Sequence, residues 1–214
     1  MKSAIRLLLF LFLVLNTFLL WGSTTEFLPL DLRKLATTGF QDSVANDYMG
    51  GWFDEGNNDL RIFPSGRRIF AGVPFDIIDP ITNAGATCIA LRSVRRPYFP
   101  EALRKIPVNL EQVDFLHFLH TGGGNMPTPH GRVYHWIIHY EDKTRAEIQV
   151  RWNLEIGNWW IPRNLPNAIL VWADYNPVGR LVGVWRMSVP NPYPGKKILS
   201  LDLVSENSDA FSAV

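Results

Sequence analysis

The fold of this chain is decided by the stretch Val133-Tyr134-His135-Trp136-Ile137-Ile138-His139-Tyr140-Glu141. Successive side chains of a β-strand point to opposite faces of the sheet. One face of this stretch carries Tyr134, Trp136, Ile138 and Tyr140, and the other carries Val133, His135, Ile137, His139 and Glu141. The alternation predicts a half-buried strand whose aromatic face lies in the core.

Similar short runs, rich in Val, Ile, Phe, Tyr and Trp, flank this stretch, and clusters of Gly, Pro, Asn and Asp separate them. We predict strands at residues 60–63, 67–78 with a break at Pro74, 87–92, 104–110, 113–120, 133–140, 145–152, 168–172, 181–189 and 197–204. In the run 181–189 we expect alternate residues, beginning with Leu181, to face the core. About ten strands in one chain predict an all-β protein, a two-sheet β-sandwich or jelly roll.

The amino-terminal segment differs from the rest of the chain. Residues 7–21 are apolar except for Asn16 and Thr17, and they follow Lys2 and Arg6. A basic start, an apolar centre and small residues after it are typical of a secretory signal peptide. The apolar run of about 15 residues is shorter than the roughly 20 that a membrane-spanning helix needs. We predict a signal peptide at 1–24, a single β-sandwich domain at 25–214, and a secreted, periplasmic or cell-surface location, with membrane contact only if the segment is not removed.

The charge of the chain is close to zero, with 21 Lys and Arg against 20 Asp and Glu. Removal of residues 1–24 takes away Lys2 and Arg6 and leaves a net charge of −1. Affinity for nucleic acid rests on clustered basic residues, so this balance argues against a nucleic-acid partner. It suits a neutral polymer or a protein surface.

No nucleophile motif is present in the sequence. There is no Gly-x-Ser-x-Gly elbow, and the single cysteine, Cys88, lies in a strand-like run without a histidine beside it. We expect Cys88 to be a buried, unreactive thiol. No catalytic residue is predicted, and a small polysaccharide hydrolase is kept only as a minor alternative.

Residues 47–59 contain the densest cluster of glycine and hard oxygen donors in the chain. Asp and Asn oxygens are ligands that Ca²⁺ accepts, and we take Asp54, Asn57 and Asp59 as a possible structural Ca²⁺ site. The alternative is a turn in which these side chains bond to their own backbone. A second glycine cluster, Gly122-Gly123-Gly124-Asn125, lacks the residues of a phosphate-binding loop and is predicted to be a flexible surface loop.

Three tryptophans near predicted turns are the candidate ligand-binding residues, namely Trp52, Trp159 and Trp160. Aromatic rings stack on the apolar faces of sugars, and neighbouring Asp, Asn and Arg bind the hydroxyl groups. The alternative is that the paired rings of Trp159 and Trp160 close one end of the core, since tryptophan is usually largely buried.

The order of several short motifs resembles a known group of domains. The motifs are Gly50-Gly51-Trp52-Phe53-Asp54-Glu55-Gly56, Gly72-Val73-Pro74-Phe75-Asp76-Ile77 and Asn191-Pro192. Together they resemble galactose-binding-like β-sandwich modules, of the NPCBM and discoidin type, in exported bacterial carbohydrate-related proteins. Lys143 departs from the pattern, because glycine is expected in that hairpin turn. The resemblance implies a non-catalytic, sugar-associated or adhesive role that resides in end loops or on a concave face.

These observations lead to two functional hypotheses. The first is an exported, non-catalytic carbohydrate-binding module for a cell-envelope or environmental polysaccharide. The second is a secreted protein-interaction or assembly domain that binds no sugar. They differ in whether a tryptophan ring reaches solvent beside Asp, Asn or Arg.

Overall fold

The computed structural model describes residues 25–126 and 128–214. It contains one short 3-10 turn, Arg33–Leu35, and ten strands, β1 (Gly66–Phe70), β2 (Val73–Ile77), β3 (Ala102–Leu110), β4 (Phe115–Gly123), β5 (Arg132–Tyr140), β6 (Arg145–Arg151), β7 (Ala168–Tyr175), β8 (Leu181–Pro190), β9 (Ile198–Ser205) and β10 (Phe211–Ala213). Within these two ranges, none of the helical structure is long and apolar enough to cross a membrane. The predicted signal peptide lies outside the described residues.

Eight of the strands form two four-stranded antiparallel sheets that pack face to face. One sheet has the order β3-β9-β5-β6 and the other has the order β10-β4-β8-β7, while β1 and β2 form a separate hairpin. The chain crosses between the sheets after β3, β4, β6, β8 and β9. The predicted all-β, two-sheet sandwich is confirmed, and the galactose-binding-like variety of it stays a prediction.

The core face of β5 is the one that the alternation predicts. Tyr134, Trp136, Ile138 and Tyr140 are all buried. Trp136 stacks on Phe118 of β4 at a centroid distance of 4.8 Å, which joins the two sheets. On the opposite face, His135 and His139 are only partly buried and pair with Glu206 and Asp202. Strand alternation therefore places the aromatic rings between the sheets.

The prediction for β8 is only half right. Trp185 and Met187 are fully buried as expected, but Val182 and Val184, which alternate with them, are buried too. The β1–β2 hairpin also reaches the outer face of this sheet. Arg186 on that face donates hydrogen bonds to the carbonyl groups of Phe70 and Ala71 in the β1–β2 hairpin, at 3.2 and 2.7 Å. The hairpin thus contacts β8 at Arg186, whereas Leu181, which the alternation predicts to face the core, is 41% exposed.

Several strand boundaries differ from the prediction. Residues 60–63 form a turn closed by the hydrogen bond from Phe63 N–H to the Leu60 carbonyl, and residues 87–92 make only isolated bridges. The break in 67–78 falls at Ala71 and Gly72, both with positive φ, and not at Pro74. Pro74 fits within β2 because a two-stranded hairpin leaves edge positions that need no N–H donor. Strand β10 was not predicted, because three residues are too few to show alternation.

Two single-residue predictions can be compared with the fold. Cys88 is 2% exposed, and burial raises its pKa well above the ordinary value of a thiol, as expected for an unreactive cysteine. Lys143 adopts φ 70°, the conformation for which glycine was expected in the β5–β6 turn. The turn therefore has the expected backbone shape with a different residue.

His120 is a buried titratable group between the sheets. Its Nε2 lies 2.8 Å from the Glu155 carbonyl oxygen, and its Nδ1 contacts the Tyr134 hydroxyl. A carbonyl can only accept, so Nε2 carries the hydrogen and Nδ1 accepts one from Tyr134. Burial lowers the pKa of His120 to about 4.

We expect this histidine to make the fold sensitive to mild acid. Between the unfolded pKa of about 6.5 and the folded pKa of about 4, the unfolded chain binds a proton that the folded chain does not. The free energy of unfolding should fall by up to about 1.4 kcal/mol per pH unit across this window, or about 3 kcal/mol in all. Urea unfolding at several pH values from 7.5 to 4 would measure the slope.

The control is His117, which is only partly buried near the start of β4 and bonds to Ser188. His117→Gln should keep most of the slope, whereas His120→Gln should remove most of it. A wild-type protein with constant stability between pH 6.5 and 4.5 would contradict the assignment.

Candidate functional site

A cluster of aromatic rings closes one end of the sandwich. Trp52 and Trp159 are fully buried there, with centroids 5.4 Å apart, and Phe53 lies 4.7 Å from Trp159. The sequence prediction that Trp52 and Trp159 contact a ligand is therefore corrected, because the packed rings have no face left for a sugar. Trp160 alone of the three candidates is partly exposed.

The glycine cluster at 122–124 supports these rings. Gly122 and Gly123 are buried at the end of β4, so the predicted flexible surface loop is wrong for them. A Cβ atom on Gly123 would lie 2.5 Å from the Phe211 ring and 2.7 Å from the Phe53 ring. Glycine is needed because the two rings rest directly on the backbone.

A cleft of about 360 Å³ opens beside this cluster. Its aromatic lining comes from Phe53, Trp160 and Phe211. Its polar lining comes from Asn46, Asp54, Glu55, Arg95, Arg96, Asn125 and Asn158, with Gly124 completing the wall. A partly exposed tryptophan thus lies beside Asp, Asn and Arg, and a tryptophan in such surroundings is what distinguishes the two functional hypotheses.

Trp160 is held in a defined position at the cleft. Its ring stacks on Trp159 at 5.5 Å, and the guanidinium of Arg180 lies 5.0 Å from its centroid. Neither Trp159 nor Arg180 lines the cleft, so Trp160 contributes the part of the ring that they leave uncovered. The Asn158 side chain fixes the turn by accepting a hydrogen bond from the Trp160 backbone N–H at 3.0 Å.

The acidic residues beside the cleft differ from those that the sequence predicts as metal ligands. Carboxylate oxygens of Asp42, Asp47 and Asp54 lie within 4.8 Å of one another. All four oxygens of Asp42 and Asp54 accept backbone N–H groups, at 2.6 to 3.2 Å. Gly50 permits this arrangement, because its φ is 86° and a Cβ would lie 2.5 Å from the Asp42 carboxylate. The structural Ca²⁺ stays a prediction, and these backbone bonds are those of the alternative, a self-bonded turn.

Asn57 and Asp59 do not join Asp54. The guanidinium of Arg61 binds both of them, with Nη2 2.7 Å from Asp59 and 3.0 Å from the Asn57 side-chain oxygen. Asp59 is fully buried and also accepts the Asp42 N–H at 2.8 Å. A side-chain cation already occupies the position that the sequence assigns to a metal ion, so this part of the predicted ligand set is corrected.

A second cleft of about 300 Å³ lies between β6 and β8 and is lined in part by Glu155 and Asn167. Burial raises the pKa of the Glu155 carboxyl, but hydrogen bonds from Arg151 and Asn167 outweigh burial and leave the pKa below its ordinary value. Both carboxylate oxygens have partners at 2.6 to 3.1 Å. Glu155 is therefore held as a structural ion, and no aromatic ring lines this cleft.

Sequence reasoning missed Arg95, Arg96 and Phe211 as members of the first cleft. Phe211 lies in a three-residue strand and Arg96 in a turn between irregular segments, so neither shows a periodic pattern. The only local signal is the density of arginine at 92–96.

The chain was compared with protein-family models, with curated proteins and with solved structures, and none of the three comparisons finds a match. The resemblance to galactose-binding-like modules therefore stays a prediction that rests on the quoted motifs.

Proposed function

We propose that this protein is an exported, non-catalytic carbohydrate-binding module and that the cleft beside Trp160 is its binding site. The observation that carries the proposal is the combination of three aromatic side chains, Phe53, Trp160 and Phe211, with a polar rim of Arg, Asp and Asn. C–H groups of a sugar pack on aromatic surfaces while its hydroxyl groups bond to planar polar side chains. A cleft of this size suits one or two sugar units.

The site is built on rigid parts of the fold. Phe53 and Phe211 are buried, at 3% and 5% exposed, and lie 5.2 Å apart, so they form the floor of the cleft beneath the more exposed Trp160. Gly123 of β4 lies directly beneath both rings. A preformed surface loses little conformational entropy when a ligand binds, which favours weak but specific recognition of a polymer.

A binding role accounts for the acidic residues better than a hydrolytic one does. Asp54 accepts hydrogen bonds from the backbone of Asp47 and Tyr48, and Glu55 accepts one from Asn58. Both carboxylates are thus engaged in shaping the loop. We expect no release of reducing ends from a bound polysaccharide, and such release would favour the hydrolase alternative.

The test is affinity electrophoresis through gels that contain a panel of neutral and acidic polysaccharides. We expect Trp160→Ala to weaken retention by about tenfold or more. The contact between a sugar and one aromatic ring contributes a free energy of this order. The matched control is Trp172→Ala, because Trp172 is also partly exposed but packs on Phe63 outside the cleft.

Retention of wild type and Trp172→Ala, with loss in Trp160→Ala, would support the proposal. Equal retention of all three proteins would place binding elsewhere, and no retention of wild type on any polysaccharide would contradict a carbohydrate-binding role.

One observation favours the second hypothesis, a protein-interaction domain. Tyr48, Met49 and Tyr98 are 66%, 71% and 42% exposed, and the two tyrosine rings are 6.1 Å apart. Exposed apolar patches are typical of protein contact sites. If no saccharide binds, Tyr48→Ser combined with Met49→Ser is the variant that should abolish association with a protein partner.

A further inference from the structure

The first cleft is bordered by arginine side chains that have no acidic partner. Arg95 and Arg96 line it, and Arg180 lies over the Trp160 ring. Other arginines of the domain do have such partners, for example Arg61, Arg104 and Arg151. Among residues 25–126 and 128–214, no carboxylate oxygen lies within 4.0 Å of the three guanidinium groups at the cleft.

Arg96 is fixed by the aromatic lining of the cleft. Its guanidinium carbon lies 4.8 Å from the Phe211 centroid and 5.9 Å from the Phe53 centroid. Its Nη1 donates to the Arg95 carbonyl at 3.1 Å, and its buried Nε has no acceptor within the described part of the chain. A guanidinium that rests on rings is held flat, and its remaining N–H groups can bind a planar anion through two parallel hydrogen bonds.

The acidic residues of the cleft do not neutralise this guanidinium. Asp54 is bonded to backbone N–H groups and Glu55 to the amide of Asn58. Arg96 therefore has no acidic partner among the described residues, and the anionic group of a ligand can pair with it. The cleft lining carries two carboxylates, Asp54 and Glu55, and two guanidinium groups, Arg95 and Arg96, and the carboxylates are the ones engaged by N–H groups of the loop.

We propose that the cleft selects an acidic saccharide, in which a carboxylate or sulfate group on the sugar ring pairs with Arg96 and, next to it, Arg95. This inference rests on the proposed function, because it names the class of saccharide for the same cleft. The sugar ring lies against Trp160, above the buried floor of Phe53 and Phe211, and its anionic group lies at the arginine wall formed by Arg95 and Arg96. A carboxylate is planar and a sulfate ester is tetrahedral, but each offers two oxygen atoms to an arginine fork.

Isothermal titration calorimetry with three defined probes tests the proposal. They are tri-galacturonic acid, its neutral methyl ester, and a sulfated galactose trisaccharide. At 50 mM salt we expect an anionic trisaccharide to bind about tenfold or more tightly than the ester, and this advantage should shrink at 500 mM salt because exposed ion pairs are screened. The tighter of the two anionic probes identifies the source of the charge.

Arg96→Gln should reduce the preference for the acid over the ester to below about twofold, and Arg96→Lys, which keeps the charge but loses the fork, should retain part of it. Arg95→Gln changes an exposed side chain, so it tests the arginine wall even if Arg96→Gln is unstable. The control is Arg68→Gln, since Arg68 is an exposed arginine on β1 that lines no part of the cleft.

Equal binding of acid and ester by wild type would overturn this inference and leave carbohydrate binding in place. If wild type binds none of the three probes and is retained by no polysaccharide in the gel panel, both the proposed carbohydrate binding and the preference for an acidic saccharide are overturned. A preference for the anion that survives in both Arg95→Gln and Arg96→Gln would also overturn the assignment to these residues.

Discussion

Trp159→Ala is expected to lower the free energy of unfolding by about 3 to 5 kcal/mol, the range for removing a fully buried aromatic side chain. Trp159 is 0% exposed and contacts Trp52, Phe53 and Trp160 with centroid distances of 5.4, 4.7 and 5.5 Å. The glycine backbone beneath the cluster is part of a sheet and cannot collapse into the cavity. Chemical unfolding followed by circular dichroism would measure the loss.

The neighbouring residue provides the control for this prediction. Trp160 is partly exposed at the cleft, so Trp160→Ala should cost only about 1 to 2 kcal/mol while it weakens binding. The two variants should thus separate stability from recognition. Equal destabilisation by both would show that Trp160 belongs to the core and would remove the main support for the binding site.

Asp59→Asn is expected to destabilise the fold by about 2 to 3 kcal/mol, because it removes the charge of a buried carboxylate that accepts several hydrogen bonds, although its partner Arg61 keeps contact with solvent. The Asp59 carboxylate is fully buried and accepts hydrogen bonds from Arg61 Nε, Arg61 N–H and Asp42 N–H at 2.8 to 3.0 Å. A neutral amide keeps the shape but leaves the Arg61 guanidinium without its counter-charge. Thermal and urea unfolding at pH 7 would measure the change.

An exposed ion pair of the same composition is the matched control. Arg67 and Asp76 pair at 3.0 Å across the β1–β2 hairpin, with both side chains more than half exposed. Asp76→Asn should change the free energy of unfolding by less than about 1 kcal/mol, because water screens the pair. Similar losses in the two variants would contradict the view that burial sets the strength of the Asp59 pair.

The parts of the fold that sequence predicts best are those in which one face is buried. In β5, buried and partly buried side chains alternate without exception from Tyr134 to Tyr140, with the aromatic rings on the buried face, so the sequence period and the burial agree. In β8 the prediction fails for Val182 and Val184. The strand has apolar side chains on both faces, so its sequence does not show whether one face or both faces are buried. Their burial depends on the tertiary structure and not on the local pattern of the strand.

The candidate site was predictable only in part. The motif Trp52-Phe53-Asp54 and the pair Trp159-Trp160 both lie at the cleft region, as their composition suggests. Which ring reaches solvent was not predictable, since Trp159 and Trp160 are adjacent and identical in chemistry. Likewise, the sequence does not distinguish Asp59 from Asp54. In the structure Asp59 pairs with Arg61, whereas Asp54 accepts hydrogen bonds from backbone N–H groups.

Sequence by itself determined that this is an all-β sandwich with an aromatic core, because strand alternation is a local property that each short segment carries alone. Only the tertiary structure decided that Phe53, Arg96, Trp160 and Phe211 meet around one cleft. These residues come from four segments far apart in the chain, and none has a periodic pattern that points toward the others. Their meeting depends on how the sheets pack and on the glycine at 123 that lets two rings rest on the backbone.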